Sequence, residues 1–167
     1  MVTINCLLAI LFFSLGIHSM QNDTLHTLVA AIVGDVNTAR KQATKTLREL
    51  GPGAAPLVPE LAKALSDPRN GVKMDAVSCL GAIREEAKVA IPEIVKLLGK
   101  ENADVVRNAA VHALCQLGPD TLPILTPLIS PEQDPDTRAM VLGAMPSMAP
   151  STDAIIPLLI KSLEAEI

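Results

Sequence analysis

The sequence offers few side chains whose type and spacing could do chemistry. Its three histidines are His18, His26 and His112, and no two of them stand three or four residues apart, as paired metal ligands on one helix would. No phosphate-binding loop, nucleophile elbow or dinucleotide-binding glycine motif occurs. We therefore expect no enzyme activity, no cofactor and no metal centre, with His112 solvated or packed on a helix.

Three carboxylates, Glu132, Asp134 and Asp136, lie within one five-residue segment. Such a cluster could bind Ca²⁺, but the segment lacks the glycine and the downstream bidentate glutamate of a dedicated calcium loop. An acidic turn that caps the following helix is the simpler interpretation, and calcium binding stays open.

Four basic residues are concentrated in one short segment. Lys41, Lys45 and Arg48 recur at i, i+4 and i+7, so they share one face of a helix, and Arg40 lies beside them. This face could receive an anionic partner, or it could simply be solvated.

Composition excludes several kinds of binding site. The 167 residues contain no Trp, no Tyr and two Phe, Phe12 and Phe13, so no aromatic side chain follows them. Base-stacking platforms, aromatic cages and tyrosine-rich interfaces are therefore excluded after Phe13. Residues 20–100 contain 11 basic and 9 acidic side chains, whereas residues 101–167 contain 3 and 9. The net charge is −4. Because binding to phosphates needs clustered Lys and Arg, we expect no nucleic-acid partner.

The first residues have the features of an export signal. Cys6 to Ile17 form a run of twelve uncharged residues, whereas a membrane span needs about 20. Ser19 is a small residue that suits cleavage before Met20, although residues 1–5 carry no Lys or Arg. We expect a signal peptide at 1–19 and a secreted or periplasmic mature protein without a membrane span. An uncleaved anchor and a buried helix are the alternatives.

Internal repetition organises the rest of the chain. An apolar pattern at i, i+4 and i+7 occurs four times, at spacings of 33, 34 and 31 residues, and each copy predicts the buried stripe of a helix. The copies are Ala43/Leu47/Leu50, Ala76/Leu80/Ile83, Ala110/Leu114/Leu117 and Val141/Met145/Met148.

A proline marks a second helix after each stripe. Because proline fits a helix only in its first turn, each copy fixes a helix start, and Gly51-Pro52-Gly53 predicts a break before the first one. Pro127 and Pro146 fall inside later helices and predict kinks there. The four copies are Val58-Pro59-Leu61-Leu65, Ile91-Pro92-Ile94-Leu98, Leu122-Pro123-Leu125-Ile129 and Ile156-Pro157-Leu159-Leu163.

These segments, among them LGPGAAPLVPELAKAL and VVRNAAVHALCQLGPDTLPILTPLI, resemble HEAT repeats, specifically the compact bacterial type shared with phycobilisome-lyase-type proteins. The resemblance implies an all-α fold, a right-handed α-solenoid of about four antiparallel helix pairs whose second helices line a concave surface. We expect one repeat domain at 20–167. Its parts are a capping helix at 22–34 and repeats at about 35–70, 71–102, 103–134 and 135–167.

The solenoid predicts the state of the two cysteines that follow the signal. An exported pair of thiols suggests a disulfide. However, Cys79 precedes the buried Leu80 and Cys115 follows the buried Leu114, so in a right-handed stack the two thiols point away from each other. We therefore expect two reduced thiols, with Gly81 and Ala113 as the facing pair.

Function in a repeat protein is expected where exposed positions differ between repeats. The first and fourth residues after each proline point away from the buried stripe. In the first two repeats they are Glu60/Lys63 and Glu93/Lys96, pairs of opposite charge that suit a solvated face. In the third and fourth repeats the apolar Ile124 and Leu158 replace the glutamates, unless a kink turns Ile124 inward. In the last helix, Leu158 and Ile160 are apolar although packing on the fourth first helix does not account for them. The candidate partner-binding set is Glu60, Lys63, Glu93, Lys96, Ile124, Leu158, Ile160 and Lys161.

The sequence thus predicts a non-catalytic protein-binding or scaffold module that holds a protein or peptide on its concave face. One alternative is a bilin-lyase-like or chaperone-like enzyme accessory, which the resemblance alone implies. The other is a self-assembling element, a homo-oligomer formed through the C-terminal repeat.

Overall fold

The computed structural model of the protein describes residues 18–130, 133, 135–145, 156, 157 and 160, with side chains from Asp23 onward. The described chain consists of α-helices and short 3₁₀ segments. The α-helices are α1 (His18–Val33), α2 (Asn37–Leu50), α3 (Val58–Ala64), α4 (Asn70–Ile83), α5 (Ile91–Lys96), α6 (Asp104–Leu117), α7 (Leu122–Leu125) and α8 (Pro135–Ala144).

The first helices of the repeats are α2, α4, α6 and α8, and each buries its apolar stripe. In α4, the side chains of Ala76, Leu80 and Ile83 are completely buried, which stabilises the fold by about 1.5–3 kcal/mol for each large side chain. Leu50 is an exception, since 42% of it is exposed. It is the last residue of α2. Met148 lies outside the described residues.

The second helices begin as the prolines predict. Pro59, Pro92 and Pro123 each stand in the first turn of α3, α5 and α7. The predicted break at Gly51-Pro52-Gly53 is confirmed, because α2 ends at Leu50 and Gly51 has φ +51°. The segment that follows is a 3₁₀ helix, Gly51–Leu57, which leads into α3. Equivalent 3₁₀ segments, Arg84–Ala90 and Pro119–Thr121, precede α5 and α7.

The third pair is irregular at the predicted place. Helix α7 ends at Leu125, and the chain continues as a 3₁₀ segment, Thr126–Ile129, that contains Pro127. The missing N–H of a proline inside a helix explains this change. Pro146 lies outside the described residues.

Neighbouring repeats pack through their first helices. The backbone of α6 approaches α4 so closely that a Cβ added to Gly81 would lie 3.0 Å from the Cα of Ala113, which confirms the predicted small-to-small contact. The Sγ of Cys79 lies 3.8 Å from the carbonyl oxygen of Thr44 on α2, so this thiol faces the preceding repeat. Both Cys79 and Cys115 are buried, and no disulfide joins them. The all-α solenoid predicted from the sequence, with its right-handed stack, is confirmed.

Hydrogen-bonded side chains connect the turns of successive repeats. Arg69, between α3 and α4, donates hydrogen bonds to Asp67, to Asp35 and to the carbonyl of Val33 at the end of α1. Thr121 is completely buried, and its hydroxyl bonds the carbonyl of Leu114 in the last turn of α6, where helix carbonyls lack partners. Among the described residues, no helix combines the length and the hydropathy that crossing a membrane requires.

Candidate functional site

The second-helix face is the surface formed by the first and fourth residues after the repeated prolines. Its oppositely charged residues Glu60 and Lys63 form no ion pair with each other within the described residues. Glu60 instead contacts the cap helix, where its carboxylate lies 2.6 Å from Nδ1 of His26, and the Lys63 side chain is exposed. The lone cap helix supplies this competing partner, which the sequence pattern of α3 alone could not show.

The second repeat has the equivalent residues, Glu93 and Lys96, on the same face. Glu93 is half-buried and Lys96 is exposed, and no ion pair joins them within the described residues. Within the described part of the chain, Lys63 and Lys96 have no hydrogen-bonded or ion-paired side-chain partner. Two equivalent cations, 33 residues apart, are therefore available on this face.

The apolar members of the candidate set are placed differently. Ile124 is half-buried, while Ile160 is 50% exposed. Ile156, the residue before the fourth repeated proline, is 46% exposed. Leu158 and Lys161 lie outside the described residues.

A second surface, the basic groove, lies between α2, α4 and the end of α6. Its volume is about 660 Å³. The predicted basic stripe of α2 forms one wall, and residues of α4 and the following turn form the other. The charged side chains that line the groove are Lys41, Lys45, Arg48 and Arg84, with the carboxylates Glu49 and Asp75.

Asp75 is the most enclosed charged group of the basic groove. Burial raises the pKa of its carboxyl, and the nearby cations Arg40, Lys41 and Arg48 oppose that change. Nε of Arg40 donates a 2.8 Å hydrogen bond to the Asp75 carboxylate, so its charge is compensated within the protein.

Arg84 is the groove residue that sequence reasoning missed. It has φ +67°, the one positive φ of a non-glycine residue in the described chain. The equivalent positions in the neighbouring repeats are Gly51 and Gly118, at φ +51° and +106°. The repeat spacings of 33 and 34 residues already align these three positions, and an arginine at a glycine position was the signal that could have identified it.

Metal ligation has little support in the described side chains. No group of three or more His, Cys, Asp or Glu residues in that part of the chain could hold a metal ion. His26 and His112 are exposed on separate helices, α1 and α6. Of the acidic turn, Asp136 is exposed at the start of α8, while Glu132 and Asp134 lie outside the described residues.

Comparison with known proteins identifies relatives of the repeat. The family model described as HEAT repeats matches residues 25–115. Human deoxyhypusine hydroxylase, solved in complex with glycerol, has a similar structure, with a TM-score of 0.59 and 26% sequence identity. The match covers 78% of this chain and 45% of that one, so this chain spans less than half the length of that enzyme. No curated protein matches the sequence.

Proposed function

Because the chain belongs to the HEAT-repeat family, we propose that it is a non-catalytic scaffold that binds a polypeptide on its second-helix face. The proposal includes export, since Cys6 to Ile17 and Ser19 have the pattern of a cleaved signal. Repeat scaffolds of this type use the extended surface of stacked helices for binding, because each repeat contributes one equivalent position to it.

The observation that carries this proposal is the pair of available cations, Lys63 and Lys96. Both are exposed at the same register of consecutive repeats, and in the described part of the chain neither has a side-chain partner. A polypeptide lying across α3 and α5 would meet one cation in each repeat. Because Glu60 is held by His26, the first repeat presents its lysine without a competing neighbour.

A catalytic role is the alternative that the likeness to deoxyhypusine hydroxylase raises. That protein is an enzyme, but this chain matches 45% of its length at 26% identity. The described residues of this chain supply no cluster of metal-binding side chains. No aromatic residue follows Phe13, so a tetrapyrrole would find no aromatic side chain to pack against, which weighs against a bilin-lyase-like role.

A photo-crosslinking amino acid at position 63 or 96, introduced in the native host, tests the proposal. We expect both positions to crosslink to the same polypeptide in the exported fraction. His112, exposed on α6 and away from the second helices, is the matched control position, and no such adduct is expected from it. Equal adducts from all three positions, or none from 63 and 96, would contradict binding on the second-helix face.

A further inference from the structure

The basic groove collects cations from separate parts of the chain. Lys41, Lys45 and Arg48 come from one face of α2, and Arg84 comes from the turn after α4, 36 residues further along than Arg48. Packing of the first repeat against the second therefore creates a concentration of positive charge that neither repeat has alone. The groove lies on first helices and is separate from the second-helix face.

Within the described residues, the two groove arginines lack the partners that arginines have elsewhere in the protein. Arg40, Arg69 and Arg107 each form an ion pair with an aspartate. In contrast, Arg48 and Arg84 form no ion pair or side-chain hydrogen bond within the described residues, and the same holds for Lys41. Like charges that share a groove repel one another unless an anion lies between them.

The two carboxylates of the groove do not cancel this charge. Asp75 is already paired with Arg40 at 2.8 Å, and Glu49 lies 3.9 Å from Lys45 on the exposed side of α2. Arg48 and Arg84 thus stay available to a bound anion. Their planar guanidinium groups can each donate two parallel hydrogen bonds to one carboxylate.

The backbone at Arg84 adds an independent observation. A left-handed conformation is strained for a residue with a side chain, and the neighbouring repeats meet it with Gly51 and Gly118. Arginine is strained in this backbone conformation, whereas glycine is not. In exchange, the arginine places a guanidinium group at the groove. Gly51 lines the same groove, so the arginine stands across from a position with no side chain.

We propose that the basic groove binds an acidic polypeptide segment, whose carboxylates pair with Arg48 and Arg84. A polypeptide fits better than a nucleic acid for two reasons. Glu49 and Asp75 would repel a continuous row of phosphates, whereas the neutral peptide groups between acidic side chains can lie against them and donate N–H hydrogen bonds. The groove also has no aromatic side chain on which a base could stack.

Fluorescence anisotropy with a defined peptide tests this proposal. The probe is a fluorescein-labelled peptide of four Glu-Gly pairs. The reference is the same peptide with Gln in place of each Glu. The full-length protein at low ionic strength is expected to bind the acidic peptide and not the reference. Replacing both cations, Arg48→Gln with Arg84→Gly, should weaken binding by about tenfold or more, because two charge-assisted contacts are lost.

Two controls separate groove binding from net charge and from misfolding. The variant Lys88→Gln with Lys100→Gln removes two charges outside both surfaces, and its affinity for the acidic peptide should stay within about twofold of the unmodified protein. Arg84→Gly alone should raise the thermal unfolding midpoint, since glycine relieves the strained backbone, while peptide binding weakens. The loss of binding is then not a loss of folding.

Three results would overturn the proposal. One is an equal loss of affinity in the Lys88/Lys100 variant, and another is the absence of any binding of the acidic peptide at low ionic strength. The third is tighter binding of a single-stranded oligonucleotide that carries the same number of charges, which would make the groove a nucleic-acid site. Binding to the second-helix face is unaffected by any of these results.

Discussion

Cys79 illustrates how a buried position controls the chemistry of a side chain. Its side chain is fully buried, and burial, followed by the charge of Asp75, raises the pKa of the thiol to about 12. The thiolate is the nucleophile in alkylation, and at neutral pH this group is almost entirely protonated. The sequence predicted the direction of this side chain from its place beside Leu80, together with the right-handed stack that the resemblance to HEAT repeats implies.

We predict that iodoacetamide leaves Cys79 and Cys115 unmodified in folded protein at pH 7.5, within about an hour, since both are buried. After denaturation without reductant, both should be labelled, and mass spectrometry counts the adducts. A denatured protein that accepts no label, with an intact mass two hydrogens lower, would show a disulfide and contradict the right-handed arrangement.

Asp67 gives a pH-dependent contribution to stability. The hydrogen bond from the Arg69 side chain, foremost among the causes, lowers the pKa of its carboxyl from 3.8 to about 2. A carboxyl with a lowered pKa in the folded state stabilises the protein above the unfolded pKa, and this stabilisation is lost as the pH falls through the folded pKa. For Asp67 the loss therefore falls between about pH 4 and pH 2.

We predict that Asp67→Asn lowers the free energy of unfolding at pH 7 and that the difference from the unmodified protein shrinks between pH 4 and pH 2. Urea unfolding across that range measures it. Asp23→Asn, on the exposed side of α1, is the control and should leave the pH dependence unchanged. A constant difference at all pH values would mean that the Arg69 hydrogen bond does not favour the ionised carboxyl.

At the scale of the element, the contact between α4 and α6 depends on a small residue. A Cβ at Gly81 would already lie 3.0 Å from the Cα of Ala113, so a larger side chain must separate the two helices. We predict that Gly81→Val lowers the free energy of unfolding by about 1–3 kcal/mol, the usual effect of overpacking a core. Thermal or urea unfolding followed by circular dichroism measures this change.

Gly143 offers a matched control for that substitution. It lies within α8, and a Cβ at this position would meet no described atom within 4 Å. Gly143→Val should therefore change stability by less than about 0.5 kcal/mol, because the helix preferences of Gly and Val differ little. Equal destabilisation by the two substitutions would place the effect in helix preference and contradict the close approach of α4 and α6.

Local patterns predicted the helices well because burial and proline chemistry act over a few residues. The stripes and prolines located α2 to α8. What they could not show was the 3₁₀ segment Gly51–Leu57, since proline and glycine there suit a turn and a 3₁₀ helix alike. The burial of Leu50 was predicted wrongly, since 42% of it is exposed. The contact of Glu60 with His26 was not predicted, because His26 belongs to α1, an element distant in sequence.

The candidate sites were predictable to a smaller extent. The stripe of Lys41, Lys45 and Arg48 followed from helical spacing, and it does line a groove. The opposite wall, with Asp75 and Arg84, is brought there only by packing of the second repeat on the first. No pattern within either segment contains that information, although the repeat alignment marks Arg84 as an exception.

At the scale of the whole molecule, the C-terminal part of the chain is distinguished by its acidic charge and its exposed apolar side chains. Residues 101–167 carry 9 acidic and 3 basic side chains, and near the C-terminal end Ile156 and Ile160 are 46% and 50% exposed. Each apolar side chain left in water forgoes about 1.5–3 kcal/mol of burial. Because exposed apolar surface often marks a contact site, we propose this surface as a contact for a second copy or a partner.

We predict that Leu158→Glu with Ile160→Lys preserves the helical circular dichroism spectrum and abolishes any association through this end. Sedimentation at increasing concentration measures self-association of the unmodified protein and of the variant. If both stay monomeric and recover the same partners, the exposed apolar side chains have no part in assembly.

Binding on the second-helix face is the central claim, and affinity for the polypeptide that crosslinks from position 63 tests it most directly. Reversing both cations, Lys63→Glu with Lys96→Glu, should weaken that binding by about tenfold, or roughly 1.4 kcal/mol. The groove variant, Arg48→Gln with Arg84→Gly, should bind it within about twofold of the unmodified protein. Unchanged affinity after reversal of Lys63 and Lys96 would contradict the account.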